Sequence, residues 1–150
     1  MIPSGEEWAI GDRAAVEIRS FEAADLPGIL RLCEANGWPP FPADPSRALR
    51  ILTAPGVTTV VAANGGAVVG FAELLSDGEL QAYLANLAVD TARRGAGIGR
   101  RLVTEALRLA GGERIDLLSE EAATGFYRAL PHFEKIGFRI YPFYHGGQCR

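Results

Sequence analysis

Hydrophobic and polar positions along this chain change their period several times, and each change predicts a boundary between a strand and a helix. Alternating or β-branched apolar runs predict strands over 14–20, 57–63, 67–75, 80–89, 114–118 and 138–143. Helices are predicted over 23–35, 46–52, 98–110 and 119–130. The predicted order of elements is therefore β-α-α-β-β-β-α-β-α-β.

Turn residues connect the second, third and fourth predicted strands. Asn64-Gly65-Gly66 is typical of a tight hairpin, and Ser76-Asp77-Gly78 predicts a second turn. Three strands joined in this way form an antiparallel meander. Together with the helices, the pattern predicts an α/β (α+β) fold, in which a mixed, mostly antiparallel central sheet is flanked by helices on both faces.

The segment between the first two predicted helices is rich in proline. Four prolines within residues 39–45 fix the backbone and remove hydrogen-bond donors, which argues against regular structure there. We expect a stiff loop that carries two aromatic residues, Trp38 and Phe41.

Length, composition and charge exclude several classes of protein. The chain has 150 residues, 48% hydrophobic and 22% charged, which predicts a flexible lead-in over 1–12 and a single domain over 13–150. A net charge of −3 argues against general binding to nucleic acid. No apolar run approaches the ~20 residues that cross a bilayer, and the acidic start does not resemble a signal peptide. We expect a cytoplasmic protein with no membrane partner; a homodimer stays an open alternative.

The few cysteines and histidines predict neither a disulfide framework nor a metal site. Cys33 and Cys149 are too few for a disulfide framework in a chain of this length, and His132 and His145 lack neighbouring ligands. We therefore expect no metal cofactor.

The most specific chemistry lies between a strand and a helix, in the sequence RRGAGIGRR over 93–101. Gly95, Gly97 and Gly99 let backbone N–H groups turn toward one point without intervening side chains. The start of a helix adds unpaired N–H groups and a partial positive charge. The flanking arginines add cationic donors suited to phosphate. The sequence therefore predicts a pyrophosphate cradle.

The spacing of this loop separates three phosphate-binding patterns. A Walker A loop needs Lys-Ser/Thr after its last glycine, where this chain has Arg100-Arg101. A dinucleotide fingerprint needs a glycine at position 100. The third pattern, Arg/Gln-x-x-Gly-x-Gly/Ala, is matched at every position by residues 94–99. Together with the preceding strand text LANLAVD, this stretch resembles the coenzyme A loop of the GNAT family of N-acetyltransferases.

This resemblance implies a donor, a reaction and a set of coenzyme-binding residues. The donor is acetyl-CoA, and a substrate amine attacks its thioester directly. A backbone N–H of the fourth strand, near 87–89, meets the oxyanion. The coenzyme-binding residues implied are Leu87, Ala88, Val89, Arg93, Arg94, Gly95, Ala96, Gly97, Ile98, Gly99 and Arg100. A domain that binds a nucleotide instead is a weaker alternative.

A second stretch resembles the family pattern Asn-x-x-Ala-x-x-Phe-Tyr, followed by a Gly-Phe corner. Tyr127 then stands at the tyrosine position and is the candidate general acid for the leaving thiolate. Glu120 replaces the asparagine, and Gly137-Phe138 forms the corner. A rival register places Phe133 at the tyrosine position instead.

The general base and the acceptor are less clearly marked. Family members often carry a carboxylate on the fourth strand, where this chain has Ala85-Asn86. Glu73, Glu120 or ordered water are the candidate replacements. The acceptor, expected to be a small-molecule amine, is predicted to meet Trp38, Phe41, Tyr83 and Asn86. The missing carboxylate also supports an alternative, a non-catalytic domain that binds or senses acyl-CoA.

Overall fold

The computed structural model describes residues 16–143, so the lead-in predicted over 1–12 lies outside the described part. Within it, two compact units divide after Leu117. The first unit contains the strands β1 Val16–Ser20, β2 Val57–Asn64, β3 Ala67–Ser76, β4 Gln81–Val89 and β5 Arg114–Asp116. Its helices are α1 Leu26–Ala35, α2 Pro40–Ala43, α3 Pro45–Leu52 and α4 Ile98–Ala110, and the second unit contains α5 Thr124–Arg128.

One five-stranded sheet, in the order β1-β2-β3-β4-β5, organises the first unit. The first four strands are antiparallel and β5 runs parallel to β4, so the predicted meander is confirmed. Gly65 and Gly66 connect β2 to β3 with φ angles of 58° and 88°. A two-residue hairpin loop with positive φ at both positions matches the right-handed twist of the strands, and glycine adopts it without strain.

Helices cover both faces of this sheet, as predicted. Val61, Phe71 and Ala88 are cross-strand partners on one face. They form a buried cluster with residues of α1 and α3, which we call the α1 cluster. Gly70, next to Phe71, faces the other side, where a Cβ would lie 3.0 Å from the Leu102 side chain of α4. Because successive strand residues alternate between faces, α1 and α4 pack on opposite sides.

A partly buried ion pair connects β1 to the start of α1. Asp25 lies in the 3-10 turn that precedes α1, and its carboxylate accepts from both terminal nitrogens of Arg19 at 2.8 and 2.9 Å. The same carboxylate accepts from the backbone N–H of Glu22 at 2.8 Å. These bonds, from Arg19 first, lower the pKa of Asp25.

The expectation of an irregular loop over residues 38–45 is wrong in part. Pro40–Ala43 forms one helical turn, α2, and the next helix starts at Pro45. Proline is tolerated here because the first turn of a helix has no internal partner for its N–H groups. Asp44, the N-cap of α3, accepts from the backbone N–H of Arg47 at 3.1 Å.

The second unit contains less regular structure than its sequence pattern predicts. The helix predicted over 119–130 is reduced to a 3-10 turn and α5, Thr124–Arg128, and Pro131 disfavours helical backbone at the preceding residue. The strand predicted over 138–143 is absent, and the apolar side chains of Phe138 and Ile140 are each 80% exposed. An alternating pattern marks a face that could be buried, but a strand forms only where its backbone pairs with a neighbour.

Candidate functional site

Within residues 16–143, part of the backbone of the fourth strand has no partner strand on the β5 side. Pairing with β5 covers only Gln81–Tyr83, whereas β4 continues to Val89. Along residues 84–89, the side of β4 that faces away from β3 therefore has no β5 partner. Among the described residues, no strand pairs with this side of β4 where a backbone donor to an oxyanion was expected.

A β-bulge in β4 determines which side chains share a face. Glu73 lies opposite Asn86 and Leu74 lies opposite Leu84, so Ala85 has no partner on β3. As a result Tyr83 and Asn86 point to the same face as Glu73 and the α1 cluster, although they are three positions apart. Two predicted acceptor residues thus share one face of the sheet.

The glycine loop adopts the backbone that a phosphate cradle needs. Gly95 and Gly97 have φ angles of 82° and 81°, the left-handed region that favours glycine. Among the described residues, no heavy atom lies within 4 Å of a Cβ built on either glycine. The space above the loop backbone is therefore open to a ligand and would be narrowed by any side chain.

Helix α4 begins at this loop with unpaired backbone donors. Gly97 is its N-cap and provides no side-chain cap, and the first helical hydrogen bond runs from the Arg101 N–H to the Gly97 carbonyl at 3.1 Å. The N–H groups of Ile98, Gly99 and Arg100 precede that bond and have no partner within the helix. Buried Ile98 fixes the first turn against the sheet, so the partial positive charge of the helix faces the open loop.

The arginines around the loop have different positions. Arg101 donates to the carbonyl of Val16 at 3.2 Å and so anchors α4 to β1. Arg94 donates to the carbonyl of Val89 and to the side-chain oxygen of Asn36, each at 3.3 Å. Arg100 is exposed on the first turn of α4, and Arg93 is half-buried. Arg100 therefore lies beside the unpaired N–H groups at the start of α4.

Glu73 is a buried carboxylate on the face that carries the predicted acceptor residues. It is 3% exposed and accepts a hydrogen bond from Asn86 Nδ2 at 2.6 Å. Burial raises its pKa, and the bond from Asn86 opposes that shift in part. The pKa of Cys33 is raised to about 11, first by burial and second by the negative charge of Glu73. Glu73 therefore lies close to the end of α1.

The aromatic segment after α1 is placed by the end of that helix. Gly37, with φ of 68°, follows the C-cap Asn36, and the Trp38 N–H donates to the Cys33 carbonyl at 2.9 Å. This is a Schellman motif, which turns the chain back across the helix end. Trp38 and Phe41 pack against the α1 cluster that includes Ala88 of β4.

An open depression of about 490 Å³ lies at this helix end. Its lining residues are Glu34, Gly37, Trp38, Pro39, Pro42 and Ala43. Trp38 was predicted as an acceptor residue, whereas Glu34 was not. A carboxylate four positions before an aromatic residue is too common in helices to mark a site.

The remaining predicted catalytic residues lie in the second unit. Tyr127 is half-buried, its ring meets that of Phe126 edge-to-face at a centroid distance of 5.0 Å, and burial raises its pKa. Glu120 is exposed, and Phe133, the residue of the rival register, is 92% exposed. The roles of Tyr127 and Glu120 stay predictions.

Comparisons with known proteins agree with this architecture. The family model described as "Acetyltransferase (GNAT) domain" matches residues 55–140. An N-alpha-acetyltransferase, RimI, of Mycobacterium tuberculosis is 33% identical over 108 residues, and a mycothiol acetyltransferase of Rhodococcus jostii is 36% identical over 91 residues. These matches cover 68% and 60% of this chain, and they span 65% of the first relative and 30% of the second.

A solved structure of similar fold holds a coenzyme analogue. It is AAC(6')-Iy in complex with the bisubstrate analogue CoA-S-monomethyl-acetylneamine, which superposes with a TM-score of 0.71 at 18% identity. The match covers 87% of this chain and 99% of that one, so it shows a shared fold. In the described part of the chain, none of the helices combines the length and apolar character that crossing a membrane requires.

Proposed function

Because the chain belongs to the GNAT acetyltransferase family, we propose that it is an acetyl-CoA-dependent N-acetyltransferase. The acetyl group moves to a primary amine by direct attack within a ternary complex. The observation that carries the proposal is the glycine loop at the start of α4, which lies at the end of a strand whose edge is open beyond Tyr83.

The donor side of the proposal is supported by the backbone of residues 84–100. The pyrophosphate of acetyl-CoA accepts hydrogen bonds from the free N–H groups at the start of α4, and the positive end of the helix favours its charge. Arg100 adds a cationic donor from the first turn. The amide groups of the pantetheine arm pair with the open edge of β4, as an added strand would.

Glu73 is the proposed general base. The amine nitrogen attacks the thioester carbonyl carbon, and the nitrogen–carbon bond forms as the carbonyl oxygen becomes an oxyanion. A backbone N–H at 87–89 stabilises that oxyanion. Glu73 takes the proton from the nitrogen, directly or through one water, and its raised pKa brings it closer to that of the group it deprotonates.

The leaving group needs a proton when the carbon–sulfur bond breaks. Tyr127 is the proposed donor to the thiolate, because it matches the tyrosine position of the family pattern. A hydroxyl whose pKa is raised by burial stays protonated at neutral pH and can donate. The oxyanion returns to a carbonyl as the carbon–sulfur bond breaks, and proton exchange with solvent restores the Glu73 carboxylate and the Tyr127 hydroxyl. The net result is one proton moved from the amine to the thiol of coenzyme A.

The acceptor side is supported by the depression beside Trp38. Its apolar prolines and the Trp38 ring suit the carbon skeleton of a small molecule, and the carboxylate of Glu34 suits a second cationic group. We therefore propose a small-molecule amine, with Trp38, Phe41, Tyr83 and Asn86 near its reacting end.

The test is release of coenzyme A thiol in the presence of a panel of primary amines. The panel contains monoamines, diamines, amino sugars and peptides with a free N-terminus. The background from Cys33 and Cys149 is measured without acetyl-CoA. Turnover with at least one amine is expected. Tight binding of acetyl-CoA with no turnover on any amine would support the non-catalytic acyl-CoA-binding alternative instead.

A further inference from the structure

Arg94, the first residue of the glycine-loop pattern, points away from the open loop. Its Nε donates to the carbonyl of Val89, and its Nη2 donates to the side-chain oxygen of Asn36, each at 3.3 Å. Val89 is the last residue of β4, and Asn36 is the C-cap of α1. One side chain therefore connects the end of the open strand to a helix 58 residues earlier in the sequence.

Asn36 makes two different bonds with the two ends of its amide. Its oxygen accepts from Arg94, and its Nδ2 donates to the carbonyl of Leu32 at 2.7 Å. The second bond caps α1 from within, whereas the first ties that helix end to the coenzyme loop. Because one atom serves each bond, substitutions at position 36 can remove them separately.

The helix end held by this bond also places Trp38. Two residues after Asn36, the Trp38 N–H donates to the Cys33 carbonyl in the Schellman motif, and the Trp38 ring packs against the α1 cluster. Trp38, with Gly37 and Glu34, lines the depression beside α1. A shift of the α1 C-cap therefore moves a wall of that depression.

We propose that Arg94 is a positioning residue, which ties the coenzyme loop to the C-cap of α1 and thereby fixes the Trp38 wall of the acceptor depression. Phosphate binding is left to the backbone N–H groups of the loop and to Arg100. The statement that the depression receives the amine rests on the proposed function, whereas the contact between Arg94 and Asn36 does not.

The test measures Trp38 directly in the protein without ligand. The chain has two tryptophans, so Trp8→Phe leaves Trp38 as the only one. In that background, acrylamide quenching of Trp38 fluorescence is compared for Asn36→Ala, Asn36→Asp, Arg94→Ala and the double alanine variant. Arg50→Ala, at an exposed arginine of α3, is the matched control for loss of a surface charge. Circular dichroism verifies that each variant is folded.

Asn36→Ala and Arg94→Ala are each expected to increase the population with an undocked Trp38 by about tenfold, since one charge-assisted hydrogen bond is lost. The double variant should add nothing further, because both changes remove the same bond. Asn36→Asp keeps the acceptor for Arg94 and should quench like the parent, although it loses the bond to Leu32. An unchanged Asn36→Ala variant, or Asn36→Asp behaving like Asn36→Ala, overturns the proposal.

Calorimetry with coenzyme A separates this proposal from the proposed function. Arg94→Ala and Asn36→Ala should bind coenzyme A within about threefold of the parent, since neither removes a phosphate donor. A loss of about a hundredfold in Arg94→Ala alone would instead make Arg94 a phosphate ligand. If the parent itself binds no coenzyme A, the proposed function fails and the quenching result stands. With an active amine, Asn36→Ala should raise its KM about five- to tenfold and change the KM for acetyl-CoA by less than about twofold.

Discussion

Replacing Gly97 by valine tests whether the glycine loop holds the coenzyme. Gly97 has a φ of 81°, which costs an L-residue about 1–2 kcal/mol, and more for a β-branched side chain. Among the described residues other than its chain neighbours, nothing lies within 4 Å of a Cβ built at Gly97, so the main cost of valine to the folded state is backbone strain. For a chain of this length such a strain lowers Tm by about 2–8 °C.

The expected effect on coenzyme binding is much larger than this strain. The valine side chain enters the open space beside the start of α4, where the N–H groups of residues 98–100 have no partner within the helix. Blocking two hydrogen bonds to a charged phosphate, at about 1.5–3 kcal/mol each, weakens binding by at least about a hundredfold. Calorimetry with coenzyme A measures this loss.

Gly65→Val is the matched control for backbone strain. Gly65 also has a positive φ, 58°, and open space around its Cβ, but it lies in the β2–β3 hairpin. Both variants should lose similar thermal stability, and only Gly97→Val should lose affinity for coenzyme A. Equal affinities in the two variants would refute the assignment of the loop as a phosphate cradle.

Three further predictions concern titratable groups. Glu73→Gln should lower kcat about 10²–10⁴-fold. The Tm of this variant should exceed that of the parent by a growing margin as pH rises from about 4, because the folded parent loses stability once its buried Glu73 carboxylate, whose pKa is raised, ionises. Asp25→Asn should lower Tm at pH 7, and the difference should shrink as pH falls through the lowered pKa of Asp25, where the parent also loses its ion pair. Tyr127→Phe should reduce kcat about a hundredfold with little change in either KM, since the ring contact with Phe126 is kept. Melting curves across pH and steady-state kinetics measure these effects. The predictions would be contradicted by a parental kcat in Glu73→Gln, by a Tm difference between Asp25→Asn and the parent that does not change with pH, or by full activity in Tyr127→Phe.

Local patterns were sufficient for most of the fold. Helix α4 begins and ends at the predicted residues, 98 and 110, because its apolar stripe and the glycines at both ends are local features. The meander of β2, β3 and β4 was likewise predicted from turn residues and β-branching. The helical turn at Pro40–Ala43 was missed because proline restricts a helix interior but tolerates its first turn.

The two sides of the candidate site, the coenzyme loop and the acceptor side, could be predicted from the sequence to different extents. Its coenzyme loop could be predicted, since the spacing of glycines and arginines is contained in nine consecutive residues. On the acceptor side, the sequence indicated Tyr83 and Asn86 but not that a bulge would bring them to one face, because that depends on strand pairing. The bond from Arg94 to Asn36 was not predicted, because the two residues are 58 positions apart.

The sequence by itself determined most of the elements, the family resemblance and the position of the glycine loop, all of which depend on neighbouring residues. Only the tertiary structure decided whether Glu73 is solvated or buried, because strand register and the bulge at Ala85 place it against Asn86 and beneath α1. The same holds for the strand predicted over 138–143, which did not form. Burial and backbone pairing depend on what lies opposite in space, and a one-dimensional pattern does not contain that partner.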